Sequence, residues 1–172
     1  MKKYLWLMVG PPGSGKSTAA KKMFQKEALY ISRDEIRFSM LQEGDDYFAY
    51  EDEVLENFYQ QIQQGIDNGK VVVADATHLT EKARSATINS IKLAGDDELM
   101  VNAVVACTPL EVALERNAKR TGRALVPEFS IKNMYRSCTD PRFDKNITYS
   151  WIIYINENQE IIETAQPHKE EK

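Results

Sequence analysis

Gly10-Pro11-Pro12-Gly13-Ser14-Gly15-Lys16-Ser17 carries the spacing G-x-x-x-x-G-K-[ST] complete. That spacing suits one task, gripping a polyphosphate. Glycines let consecutive backbone N–H groups turn inward onto phosphate oxygens with no Cβ in the way. A helix beginning near Gly15 aims the positive end of its dipole at the same point. Lys16 is placed to reach the outer phosphates, and the Ser17 hydroxyl suits Mg²⁺. The expected phosphate-binding set is Gly13, Ser14, Gly15, Lys16, Ser17 and Thr18. Before the loop, Tyr4 to Val9 reads as a buried strand; after it, Thr18 to Phe24 reads as a helix. Strand, glycine loop and helix in that order are the context the motif requires.

Three further clusters bear chemistry. In Ser32-Arg33-Asp34-Glu35-Ile36-Arg37, Asp34 and Arg37 are three apart and share a helix face. A carboxylate there can take the proton of an attacking hydroxyl, and Arg37 can hold an acceptor phosphate with two parallel bonds. The alternative is a solvated ion pair of little energetic weight. Asp75 ends the apolar run Val71–Ala74. It reads as a group behind Mg²⁺, as an acceptor-binding residue, or as a cap for the next turn. His78 reads as a loop residue with its hydrogen bonds satisfied, without a catalytic role. Arg116, Arg120 and Arg123 form a basic cluster around Gly122. Arginines on a mobile lid can neutralise charge on a transferring phosphoryl group; a solvated helix end favoured by the dipole is the plain alternative.

These residues need a frame, and the hydrophobic pattern supplies one. Strands are expected over Leu5–Val9, Ala28–Ile31, Val71–Ala74 and Leu99–Ala106. Helices are expected from Ser32, over Asp45–Ile66, over Thr80–Ala94, from Thr108-Pro109 through Arg120, and over Glu128–Ser137. Ser32 is the expected N-cap of the first of these, three residues before Glu35. Tyr149–Ile155 and Glu160–Glu163 flank a polar turn and read as a hairpin. Alternating strands and helices argue for an α/β fold: a mostly parallel sheet flanked by helices on both faces, with a short arginine lid. One domain is expected over 1–165, followed by a polar tail, 166–172, that is expected to be disordered.

Composition narrows the class. With 172 residues, 42% hydrophobic and 28% charged, the chain has the make-up of a globular domain with a real core. No apolar run reaches the ~20 residues of a membrane span, and Met1-Lys2-Lys3 leads into a strand rather than a signal peptide. Cys107 and Cys138 lack metal-type neighbours and are expected to stay reduced in a cytoplasmic protein, with Cys107 in the core. A net charge of −4 disfavours a surface that coats nucleic acid, but leaves room for a site that grips only the end of a strand. Neither N-K-x-D nor D-x-x-G is present, which argues against a regulatory GTPase.

Taken in order, the glycine loop, Ser-Arg-Asp-Glu-Ile-Arg, Val-Ala-Asp-Ala-Thr-His with Arg84 following, and Arg-Asn-Ala-Lys-Arg-Thr-Gly-Arg-Ala-Leu-Val-Pro resemble the 5′-polynucleotide kinases of phage and bacterial nucleic-acid repair. The likeness runs over residues 1 to 140. It implies a P-loop kinase fold and ATP-dependent phosphorylation of 5′-OH ends of DNA or RNA, with Mg²⁺. It implies Lys16 and Ser17 on phosphate and metal, and Asp34 as general base. It further implies Arg37 on the scissile or acceptor phosphate, Asp75 by the acceptor nucleotide, Arg120 as the lid arginine on the donor phosphates and Val126 against the terminal base. Relatives often carry a fused phosphatase or ligase; no D-x-D-x-T motif occurs here, so such steps fall to a separate partner. The hairpin lies outside the likeness. Two other readings stand beside it: a P-loop kinase of a small metabolite, antibiotic or sugar nucleotide, and a nucleotide-binding module without transfer activity. Asp34 speaks against the last, because a pure binder needs no base.

Overall fold

A computed structural model describes residues 1–24 and 26–166; residues 167–172, most of the expected tail, lie outside the described residues. The sheet has six strands in the order β2-β3-β1-β4-β5-β6. These are β1 (Lys2–Val9), β2 (Ala28–Ser32), β3 (Val71–Asp75), β4 (Glu98–Ala106), β5 (Trp151–Ile155) and β6 (Ile161–Ala165). β1 lies parallel between β3, with Leu5 opposite Val72, and β4, with Lys2 opposite Glu98. β2 and β5 extend the parallel sheet, and β6 closes it antiparallel. The expected hairpin is therefore the sheet's own last step. Among the described residues, six α-helices accompany the strands: α1 (Lys16–Phe24), α2 (Arg33–Met40), α3 (Glu51–Asp67), α4 (Glu81–Asn89), α5 (Leu110–Ala118) and α6 (Glu128–Ser137).

Strand alternation divides the core into two layers. Leu5, Leu7 and Val9 pack with Ile36 of α2 and with Val54, Phe58, Ile62 and Ile66 of α3. Met8, Val73 and Val104 pack on the opposite face with Ala19 and Ala20 of α1. Because β1 to β5 run parallel, their carboxyl ends share one edge. The glycine loop, Asp34, Asp75, Thr108 and the β5–β6 turn all follow or end those strands.

Helix boundaries depart from the periodic pattern where side chains capture backbone groups. Ser32 caps α2 as expected, accepting from the Glu35 N–H. The helix expected from Asp45 starts only at Glu51, since the Asp45 and Asp46 carboxylates accept from the N–H groups of Gln42 and Phe48 and fold 42–50 into turns. α4 stops at Asn89 rather than Ala94; Gln63 of α3 holds both the N–H and the carbonyl of Lys92. α5 stops at Ala118 rather than Arg120. Cys107, expected in the core, is exposed, because β4 ends at Ala106 and the chain turns out of the sheet.

Two buried polar residues brace this frame. Arg84, 0% exposed, donates from Nε and Nη2 to the Asp144 carboxylate at 2.8 and 2.5 Å, and to the carbonyls of His78 and Thr139. The Tyr149 hydroxyl completes Asp144 at 2.7 Å. The His78 ring donates from Nδ1 to the Met8 carbonyl at 2.9 Å, so Nε2 accepts from the Thr87 hydroxyl at 3.0 Å.

Arg84→Ala leaves Asp144 buried without its counter-charge and is expected to cost about 3–5 kcal/mol, read as a fall in urea midpoint. Burial pushes the His78 imidazole down from 6.5 to about 4, against the opposing bond to Met8. The unfolded chain therefore gains a proton near pH 6.5 that the folded chain refuses. Stability is whole above pH 6.5 and falls toward pH 4, by up to about 1.4 kcal/mol per pH unit. Urea titrations across that range should show this slope in the wild type and its absence in His78→Gln.

Candidate active site

The glycine loop is held at both ends. The Gly10 N–H donates to the Thr77 carbonyl at 3.0 Å, and the Ala19 N–H to Gly15 at 2.9 Å, starting α1. Thr108 donates its hydroxyl to the Ser14 carbonyl at 2.6 Å. Gly13 has φ +81°, and a Cβ on it would lie 2.5 Å from the Ala113 carbonyl oxygen of α5. Only glycine fits that close approach. The buried Ser14 Oγ makes no hydrogen bond among the described residues. A positive-φ backbone cradle, a helix start and an orphaned hydroxyl together fit a bound polyphosphate.

Lys16 is buried, and its Nζ lies 3.8 Å from Oδ1 of the equally buried Asp75. That oxygen makes no hydrogen bond among the described residues, whereas Oδ2 accepts from the Tyr30 hydroxyl at 2.5 Å. Burial, then the Asp75 charge, raises the Tyr30 pKa, so the phenol stays a donor. Asp75 is thus no turn cap. Its free oxygen beside Lys16, with Ser17 in the first turn of α1, is a hard-oxygen donor set that fits Mg²⁺ bound together with phosphate. Among the described residues no group of three or more His, Cys, Asp or Glu side chains gathers to hold a metal alone.

Asp34 and Arg37 meet as their spacing suggests: Arg37 Nη1 donates to Asp34 Oδ1 at 2.6 Å. The solvated-pair reading fails for Arg37, which is only 5% exposed. Its Nη2 donates to Glu51 Oε2 at 2.7 Å, and its guanidinium lies 4.6 Å from the centre of the Tyr47 ring. Glu51 pairs with Arg33 as well. The Tyr47 hydroxyl donates to Asp34 Oδ1 at 3.2 Å. Asp34 itself is 58% exposed at its side chain, and Oδ2 makes no hydrogen bond among the described residues. One oxygen is therefore held twice while the other faces outward.

The arginine cluster divides. Arg116 reaches the loop, donating to the Gly13 carbonyl at 3.3 Å and to the Glu157 carbonyl in the β5–β6 turn at 2.5 Å. That turn also brings Gln159 to within 3.1 Å of where a Gly15 Cβ would stand. Arg120 does not meet the loop; it is exposed, and among the described residues its side chain donates only to the Ala124 carbonyl. Arg123 crosses to the Gln42 carbonyl at 3.1 Å. Val126 is half-buried, and the Asn117 amide holds its carbonyl at 2.7 Å and its N–H at 3.0 Å. Asn117 thereby roots the lid segment.

Sequence reasoning missed Tyr30, Tyr47, Glu51, Asn117 and the hairpin turn. Glu51 reads as one acid among several inside the helix expected over 45–66, and Tyr47 fits a helical stripe that the turns at 42–50 break. Asn117 alone left a signal, its place beside Arg116 in a motif already singled out.

Residues 5–141 match a family model described as an AAA domain. Among solved structures, a sugar kinase from Janibacter sp. HTCC2649 aligns with a TM-score of 0.63 at 16% identity, over 92% of this chain and 87% of that one. A chain of the Pnkp1/Rnl/Hen1 RNA repair complex aligns at 0.63 and 23% identity; it is longer, and 43% of it is covered by 78% of this chain. A fungal RNA kinase aligns at 0.62 and 14% identity, over 90% and 74% of the two chains. No curated protein matches the chain. At such identities the solved structures speak for the fold, and the family match spans well over half of the residues. The chain belongs to the AAA domain family and has a P-loop kinase-like fold.

Proposed function

We propose that this protein transfers the γ-phosphoryl group of ATP to the 5′-hydroxyl end of a nucleic acid. The observation that carries the reading is Asp34. Its Oδ1 is fixed by Arg37 and Tyr47, while its Oδ2 is unengaged at the carboxyl edge of the sheet that also holds the glycine loop. Asp34 Oδ2 accepts the proton of the attacking hydroxyl as that oxygen bonds to the γ-phosphorus and ADP leaves. Lys16 and the loop N–H groups hold the donor phosphates. Mg²⁺, held through Ser17 with Asp75 behind it, supplies neutralisation of charge on those phosphates when bound. Arg116 braces the loop, and Arg120, exposed on the lid, closes over the donor. Arg37 and Val126 engage the acceptor nucleotide.

Two of the aligned structures are titled an RNA repair complex and an RNA kinase, which supports this reading; a third is titled a sugar kinase. Phosphorylation of a small alcohol is therefore the second reading. The protein with γ-labelled ATP, Mg²⁺ and a panel of 5′-OH oligonucleotides and sugars separates the two. Label on the oligonucleotides supports the proposal, and label on a sugar alone transfers the protein to the second reading.

Asp34→Asn keeps shape but cannot take a proton. It is expected to slow transfer by about 10²–10⁴-fold with nucleotide affinity, measured by titration, unchanged. Full activity would remove the base. Arg120→Ala is expected to lower kcat by about 10²-fold or more, and lysine should rescue poorly for want of the planar fork.

A further inference from the structure

The end of α2 and the segment between α2 and α3 present an aromatic surface whose exposed rings, Phe48 and Phe38, take no part in the phosphoryl-transfer chemistry. Phe48 is 64% exposed. It meets Tyr47 edge to face at 4.8 Å, and Tyr47 meets the exposed Phe38 at 6.2 Å. This trio adjoins the acceptor cluster directly. The Arg37 guanidinium lies 5.9 Å from the centre of the Phe48 ring, and Tyr47 donates to Asp34. The display is built: Asp46 accepts from the Phe48 N–H at 2.9 Å, Asp45 from the Gln42 N–H at 2.8 Å, and Arg123 of the lid binds the Gln42 carbonyl.

We propose that Phe48, backed by Tyr47 and Phe38, is a stacking platform for a base at the 5′ end of the acceptor strand. The inference rests on the polynucleotide reading above and names the group that the acceptor side recognises. Charge decides between base and phosphate as the occupant. Glu43, Asp45 and Asp46 lie on the same segment and repel phosphate, whereas a base offers a flat, uncharged face. Stacking on an aromatic ring tolerates every base, which suits an enzyme that acts on ends rather than on sequences.

The test compares wild type, Phe48→Ala and Phe48→Trp on 5′-OH oligonucleotides that are intact or abasic at the first or second residue. Phe48→Ala is expected to raise KM about 10-fold, with the loss lying in KM rather than kcat. Phe48→Trp, which keeps an aromatic face, should hold KM near the wild-type value, and its fluorescence should be quenched by the intact oligonucleotide. An abasic residue at one of the two positions should cost the wild type the same factor and cost Phe48→Ala nothing more. An unchanged KM in Phe48→Ala would overturn the platform. So would a wild type indifferent to both abasic positions, since the ring would then contact sugar or nothing. A wild type that phosphorylates no 5′-OH oligonucleotide would overturn the polynucleotide reading itself, and the platform with it.

Discussion

The backbone of the phosphate loop rests on α5 at Gly13, where even a methyl group would strike the Ala113 carbonyl. Much of the site hangs on that contact. With the loop and α5 fixed together, Arg116, three residues after Ala113, falls within reach of the Gly13 carbonyl and of the β5–β6 turn. Asn117, the next residue, faces the lid segment and holds Val126 by both backbone groups. One close approach between two backbones thus sets the donor cradle, the brace behind it and the root of the lid.

The two halves of the site treat charge differently. At the phosphate loop, Lys16 Nζ and Asp75 Oδ1 are buried 3.8 Å apart, and that oxygen makes no hydrogen bond among the described residues, an arrangement that gains from an incoming phosphate and cation. In the Asp34 cluster, Arg37 is already committed to Asp34 and Glu51, and its charge orients the Asp34 carboxylate. Glu51 balances Arg33 and Arg37 together, and without it two cations would be crowded against each other. That crowding, after burial, is what lowers the Arg33 pKa.

The loop, the strands and the Ser32 cap were legible because each is a local pattern: a spacing, an apolar run, a short polar residue before a helix. Asp34 and Arg37 were legible as a pair for the same reason. The partners that decide what those residues do were not. Glu51 lies 14 residues from Arg37, and Glu157 lies 41 from Arg116; no periodicity links such positions. Helix ends failed where a distant side chain outbid the helix for a backbone group, as Gln63 does at Lys92. Cys107 failed because an apolar run says that a strand is buried, not where it ends.

The brace from Gly13 through Arg116 to Glu157 has a consequence for how the chain is made. β1 sits mid-sheet and finds its β4 neighbour about a hundred residues later, beginning with Lys2 opposite Glu98. The loop that follows β1 meets its final support 41 residues beyond Arg116. Synthesis therefore delivers the phosphate cradle first and its buttress near the end. Until the β5–β6 hairpin docks, Arg116 lacks the Glu157 carbonyl that anchors it behind the loop. High contact order of this kind slows folding and places its decisive step late.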